Sequence, residues 1–174
     1  MNSTGGQPIL SIPPTETEKA NLTRTIQVIV MALIMGAISF TAVICFLTFS
    51  EANLVTEPAD LFFLMPLCFS AFAITGWFFF PILITKATLS GIKNLDRDTQ
   101  ESRLWGFFQT KTIISSALLE GASFFTVLMF KMSENLLDLY LVIVLLFLLI
   151  ISVPTRFKID NWVEDKLSQL EMMN

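Results

Sequence analysis

Four long apolar runs, separated by shorter polar stretches, dominate the pattern of this 174-residue chain. A bilayer core of about 30 Å is crossed by about 20 apolar residues in an α-helix. Each run reaches or approaches that length, so the sequence predicts an all-α integral membrane protein with four transmembrane helices. The predicted spans are approximately Ile26–Phe49, Leu61–Thr85, Thr112–Phe130 and Leu136–Val153.

Polar segments occupy both ends of the chain. Residues 1–18, which include paired glycines and paired prolines, predict a flexible tail. Thr15 or Thr17 is expected to cap a helix that starts near Glu18. Residues 155–174 carry apolar side chains three and four positions apart, which predicts an amphipathic C-terminal helix. We expect that helix to lie on the membrane surface, with binding to a partner protein as the alternative.

The composition is typical of a protein in contact with lipid. Hydrophobic residues make up 53% of the chain and charged residues 15%, whereas a soluble domain usually carries about 25% charge. Histidine is absent, and Cys45 and Cys68 lie inside apolar runs, where small hydrophobic residues are expected rather than metal ligands. We therefore expect a non-enzymatic protein with no catalytic residues, no cofactor, no metal and no nucleic-acid partner.

Lysines and arginines are distributed unevenly among the predicted loops. Ten of the eleven lie in the N-terminal tail, the central loop or the C-terminal tail, and the two other loops contain only Lys131. Cytoplasmic segments of membrane proteins carry an excess of these residues. The sequence therefore predicts that both termini and the central loop are cytoplasmic, in a multi-pass protein of the plasma (inner) membrane.

The first and third spans resemble each other without a gap. Residues 32–37, ALIMGA, align with residues 117–122, ALLEGA, and the same offset pairs Thr41 with Thr126. This internal repeat predicts two tandem helical hairpins of parallel topology, with chance similarity between apolar helices as the alternative. The predicted boundaries are 19–154 for the membrane domain, 24–86 and 108–154 for the hairpins, and 87–107 for the cytoplasmic loop.

Small residues occupy equivalent positions in the two repeats. Gly36 and Ala37 in the first span correspond to Gly121 and Ala122 in the third. Because small residues let neighbouring helices approach closely in a membrane, we predict helix packing at these four positions.

Glu120 is the one ionisable residue far from both ends of a predicted span. It lies nine residues after Lys111 and eleven before Lys131. At about 1.5 Å per residue it is roughly 13 and 16 Å from those lysines, near the membrane midplane. A charge at that depth costs on the order of 3 kcal/mol or more, which favours the neutral acid. Ser116 and Ser123 share its helix face.

Two interpretations of Glu120 remain open at this point. In the first, it exchanges a proton or binds a cation, with Ser116 and Ser123 as further ion-binding residues. In the second, it joins helices through a hydrogen bond to a hydroxyl group. The candidate hydroxyl partners are those of Ser39, Thr41, Ser70 and Thr75.

Residues 115–125, SSALLEGASFF, resemble the carboxylate helix of the rotary ATPase proteolipid, subunit c. The arrangement of four helices with one acid also looks like the duplicated vacuolar-type proteolipid, since Met35 replaces the acid in the first half. The resemblance implies reversible protonation of Glu120 within an oligomeric ring in the lipid bilayer. The alternative expectation is a structural or accessory subunit that joins other subunits in a larger membrane complex.

Overall fold

The structure is a computed structural model that describes residues 15–50 and 61–173. Most of the predicted N-terminal tail, residues 1–14, lies outside the described part of the chain. Five helices account for the described fold. They are α1 (Glu16–Phe49), α2 (Leu61–Ile92), α3 (Arg97–Ser133), α4 (Leu136–Ile151) and α5 (Arg156–Met173).

Three of the helices, α1, α2 and α3, are long and apolar enough to cross a membrane. The 34 residues of α1 and the 37 of α3 extend roughly 50 and 55 Å, so both helices exceed the bilayer core. α4 has only 16 residues and meets α5 at a bend of 71°. The fold therefore contains three membrane-spanning candidates, or four if α4 and α5 are counted as one bent span.

Thr15 is the residue that caps α1. Its hydroxyl accepts a hydrogen bond from the backbone N–H of Glu18, and the Glu18 carboxylate accepts one from the N–H of Thr15 at 2.8 Å. This reciprocal capping box satisfies two donors at the helix start. Of the two caps expected from the sequence, Thr15 is therefore the one used, and α1 begins at Glu16 rather than near Glu18.

The connection between α2 and α3 is much shorter than the predicted loop, 87–107, because all of that segment except 93–96 is helical. Asp96 starts α3 by accepting hydrogen bonds from the backbone and the hydroxyl of Thr99. The Gln100 amide donates to carbonyls at the end of α2 and in the turn. Side chains thus hydrogen-bond to free backbone N–H and carbonyl groups at both helix ends, which lets two long helices meet in a tight turn.

α3 is the central helix and packs against α1, α2, α4 and α5. α1 and α2 are neighbours in sequence, yet in the described part of the chain they scarcely contact each other, and each packs on α3 instead. α3 and α4 therefore pack directly on each other, whereas α1 and α2 are held together through α3.

One end of the bundle, here called the polar end, comprises residues 16–25, 86–92, 97–111 and 156–173. Ion pairs connect its helices: Lys19 to Glu101 at 2.7 Å, Arg97 to Glu171 at 3.0 Å, and Arg156 to Glu16. Beneath these charges lies an apolar core. Its buried members are Leu89, Ile92, Leu104, Trp105, Phe108, Ile159, Val163, Leu167 and Leu170.

The apolar face of α5 is covered by the protein itself. The sequence predicts that this helix lies on the membrane surface, but Ile159 and Leu170 are fully buried and α5 packs on α3 and α1. The physical reason is the length of α3, which is longer than a bilayer core is thick, so that its outer turns carry Leu104 and Trp105 for α5 to cover. α5 thus completes the core of the polar end.

Candidate functional site

Glu120 lies near the middle of α3 and faces α1. A Cβ atom placed on Gly36 would lie 3.4 Å from Oε1 of Glu120, so the carboxyl group rests against the glycine of α1. The Glu120 side chain is half-buried. Among the described residues it has no hydrogen-bond or ion-pair partner. The site is therefore a lone, half-buried carboxyl group where α3 packs against α1.

The two serines grouped with Glu120 from the sequence are fully buried but are bonded elsewhere. Ser123 donates a hydrogen bond to the Leu119 carbonyl at 2.9 Å, and the Ser116 hydroxyl lies 3.5 Å from that of Ser152, which follows α4. The three side chains share one side of α3, but small differences in angle give them different neighbours. The structure does not join them into one ligand set.

The hydroxyl groups expected to bond Glu120 from within the chain have other partners or lie exposed. Thr41 donates to the Ala37 carbonyl at 2.8 Å. Ser70 and Thr126 are buried and their oxygens lie 3.1 Å apart, which links α2 to α3. Ser39 and Thr75, the remaining two candidates, are exposed. Ser70–Thr126 is therefore a buried polar link between α2 and α3 that the sequence pattern does not predict.

The four small residues predicted to pack between helices differ in their surroundings. Ala37 and Ala122 are fully buried, and Gly36 contacts Glu120. Gly121 is exposed, and a Cβ atom there would meet nothing within 4 Å. Since successive residues are turned by about 100° around a helix, Gly121 leaves the face that packs on α1. It packs against no described helix of this chain.

Gly76 has the closest approach of the described glycines. A Cβ atom at this position would lie 2.8 Å from Cδ2 of Leu118, so α2 and α3 are in tight contact here. Sequence reasoning misses this contact because Gly76 stands alone in an aromatic span without a periodic pattern of small residues.

A buried acid, Asp138, lies in the first turn of α4. The Ser133 hydroxyl donates to Asp138 at 2.6 Å, and Asn135 caps α4 by accepting from the N–H of Leu137. Glu134, between them, has a left-handed backbone with φ of 54°. These residues close the α3–α4 turn, and the sequence alone places Asp138 only near the edge of a span.

No protein-family model matches this chain, and no curated protein and no solved structure matches it. Within the described ranges, no group of three or more His, Cys, Asp or Glu residues is placed to hold a metal ion. The function must therefore be inferred from the residues and their surroundings.

Proposed function

We propose that this chain is a small, non-enzymatic integral membrane protein that reversibly binds a proton at Glu120. One observation carries the proposal: a half-buried carboxyl group at mid-length of α3, against Gly36, with no bonding partner among the described residues. An unpaired acid at membrane depth is costly when charged. Gain and loss of a proton is the chemistry open to such a group without further ligands.

Four membrane crossings, with both termini in the cytoplasm of a plasma (inner) membrane protein, belong to this proposal. α1, α2 and α3 have the required length, and α4, which is apolar apart from Asp138 in its first turn, would add a crossing of about 24 Å. The polar end, together with the α2–α3 turn at residues 93–96, contains ten of the eleven basic residues. That distribution supports a cytoplasmic polar end.

A proton suits Glu120 better than a metal cation. A hard cation takes several oxygen ligands, whereas Ser116 and Ser123 hydrogen-bond to other groups. The resemblance of residues 115–125 to the rotary ATPase proteolipid favours the same chemistry. It also favours a homo-oligomer as the assembly in which the proton is exchanged.

An accessory role in a larger membrane complex is the second candidate, and the open face beside Glu120 favours it. Met35, Ala117 and Gly121 are exposed around the carboxyl group, which leaves room for a helix of another protein. A donor on that helix would complete the hydrogen bonding of Glu120 and hold the two proteins together.

Labelling with an apolar carbodiimide tests the proton-binding proposal. In mild detergent, we expect Glu120 to react, and to react faster at lower pH because carbodiimides attack the protonated acid. Mass spectrometry of the protein and its peptides would locate the label. Glu120→Gln is the matched control, since the amide keeps the size of the side chain and cannot react. A Glu120 that stays unlabelled, or reacts independently of pH, contradicts the proposal.

Glu120→Gln, together with Glu120→Ala, separates the two candidate functions. If Glu120 serves as a hydrogen-bonding group for a partner protein, Glu120→Gln should retain the partner and Glu120→Ala should lose it. Purification in mild detergent, followed by mass determination of the complex, would measure this. If Glu120 exchanges a proton, we expect instead that Glu120→Gln and Glu120→Ala both lose proton binding at this position and both keep the assembly.

A further inference from the structure

Two adjoining cavities lie where the apolar parts of α2 and α3 meet the polar end. Their volumes are about 380 Å³ and about 310 Å³, and both are lined by Pro81, Lys111 and Trp162. We call them together the lysine cavity. α2, α3 and α5 supply its walls, so the cavity depends on the packing of three separate helices.

Positive charge is concentrated in this cavity. Lys86 of α2, Lys111 of α3 and Lys166 of α5 line the larger part, and Lys158 lines the smaller part. Among the described residues that line either part there is no aspartate or glutamate. A cavity of this kind attracts anions.

Lys111 is held in the cavity by aromatic rings instead of a carboxylate. Its ammonium nitrogen lies 3.9 Å from the ring centroid of Trp162 and 4.8 Å from that of Phe108. Aromatic faces attract a cation but supply no net negative charge. Lys166 adds a second positive charge to the surroundings of Lys111, although the ammonium group of Lys166 also lies 2.7 Å from the carboxylate of Asp165. The half-buried Lys111 is therefore left without a neutralising anion in the described part of the chain.

The smaller part of the cavity contains a second unsatisfied group. The Ser115 side chain is only 6% exposed, and its hydroxyl has no hydrogen-bond partner among the described residues. Ser115 lines the cavity together with Lys111. Burial of a hydroxyl without a partner is unfavourable, and a bound oxygen acceptor would remove that penalty.

The chemistry of the lining indicates what kind of anion fits. Lysine ammonium groups bind phosphate as point charges, and several of them converge here from different helices. The membrane-facing side is apolar at Pro81 and Ile82, and Ile82 is 43% exposed. A phosphate group attached to an apolar chain matches this lining, since the phosphate contacts the lysines and the chain contacts Pro81 and Ile82.

We propose that the lysine cavity binds a phosphate group, carried by the headgroup of an anionic membrane lipid or by a soluble phosphate ester. Basic pockets between helices at the cytoplasmic boundary are suited to such headgroups. This inference goes beyond the proton binding proposed for Glu120. The two can fail separately, because Glu120→Gln leaves every lining residue of the cavity in place.

Binding to delipidated protein in detergent tests the proposal. The probes are phosphatidylglycerol in mixed micelles, phosphatidylcholine as the uncharged comparison, and glycerol 3-phosphate or inorganic phosphate as soluble sources. Trp162 lines both parts of the cavity, so its fluorescence provides a signal, and native mass spectrometry counts bound lipid. We expect retention of phosphatidylglycerol over phosphatidylcholine, with affinity falling about fivefold for each lysine removed.

The variants are Lys111→Met, Lys166→Met and Lys86→Met. Lys86 is exposed on α2, so its replacement tests the charge without disturbing the core. Lys93→Met is the matched control, because it removes the same charge from the α2–α3 turn and does not line the cavity. Binding of phosphatidylglycerol alone identifies a lipid source, and equal binding of glycerol 3-phosphate identifies a soluble one. Absence of binding by every probe, or equal loss in Lys93→Met, overturns the proposal.

Discussion

At the scale of single residues, the position of Glu120 and its contacts have different origins. Its position near the middle of α3 follows from its distance along the helix to Lys111 and Lys131. Its contact with Gly36 joins residues that are far apart in the chain. Ser116 and Ser123 show the limit of helical periodicity, because they share a side of α3 with Glu120 but bond to other groups. Within the described part of the chain, the carboxyl group is therefore isolated.

Gly76 offers a prediction about packing. A Cβ atom there would lie 2.8 Å from the end of the Leu118 side chain, which can move aside for a single methyl group. The branched side chain of Gly76→Val requires α2 and α3 to separate. We expect Gly76→Val to lower the free energy of unfolding by about 1–3 kcal/mol, with Gly76→Ala much milder.

Thermal unfolding in detergent, followed by circular dichroism, measures this effect. Gly121→Val is the matched control, because a Cβ atom there meets nothing within 4 Å. Equal destabilisation by the two valine variants would show that α2 and α3 are not in close contact at Gly76.

At the scale of elements, helix length explains the polar end. α1 and α3 are longer than a bilayer core is thick, so the buried core of the bundle continues along their outer turns. α5 covers that core with its apolar face, and the ion pair between Lys19 and Glu101 ties α1 to α3. The predicted cytoplasmic loop, 87–107, is mainly helix, because Leu89, Leu104 and Trp105 within it are part of that core.

The cap of α3 gives a prediction about pH. Hydrogen bonds from the hydroxyl and backbone of Thr99 hold the pKa of Asp96 below its usual value. The charged form is thus favoured in the folded state, so its contribution is present at neutral pH. It is lost as the pH falls through the lowered pKa. We expect Asp96→Ala to unfold at a lower temperature than the unmodified chain at pH 7, and the difference to shrink at acidic pH.

Thermal unfolding across pH, followed by tryptophan fluorescence, checks this expectation. Asp98→Ala is the control, since it removes a neighbouring acid of the same helical turn that is not the N-cap. A deficit in Asp96→Ala that stays constant down to acidic pH would contradict the assigned role of the charge.

At the scale of the whole molecule, the bundle is organised around α3. Every other helix packs on it, while the sequential neighbours α1 and α2 scarcely meet within the described ranges. The four crossings and the tandem hairpins of the sequence analysis remain predictions, because α4 is short and bends into α5 at 71°. Whether α4 crosses determines the side of the membrane on which α5 lies.

Labelling of single cysteines tests the orientation. In a background with Cys45 and Cys68 replaced by serine, we expect Ser168→Cys to react with an impermeant maleimide only from the cytoplasmic side. Met132→Cys, at the end of α3, should react only from outside. Both native positions are exposed, with Met132 at 70%. Reaction of both cysteines from one side would contradict four crossings.

The sequence by itself determined the helical class, the candidate spans, the position of Glu120 along its span and the segregation of basic residues. These properties depend on local apolar length and on position along one helix, so they can be read without knowing which helices meet. Tertiary structure decided the rest. It made α3 central, placed Glu120 against Gly36, buried the face of α5, and brought Lys86, Lys111 and Lys166 together. These contacts join residues far apart in the chain, and they arise from packing around α3, which no local pattern encodes.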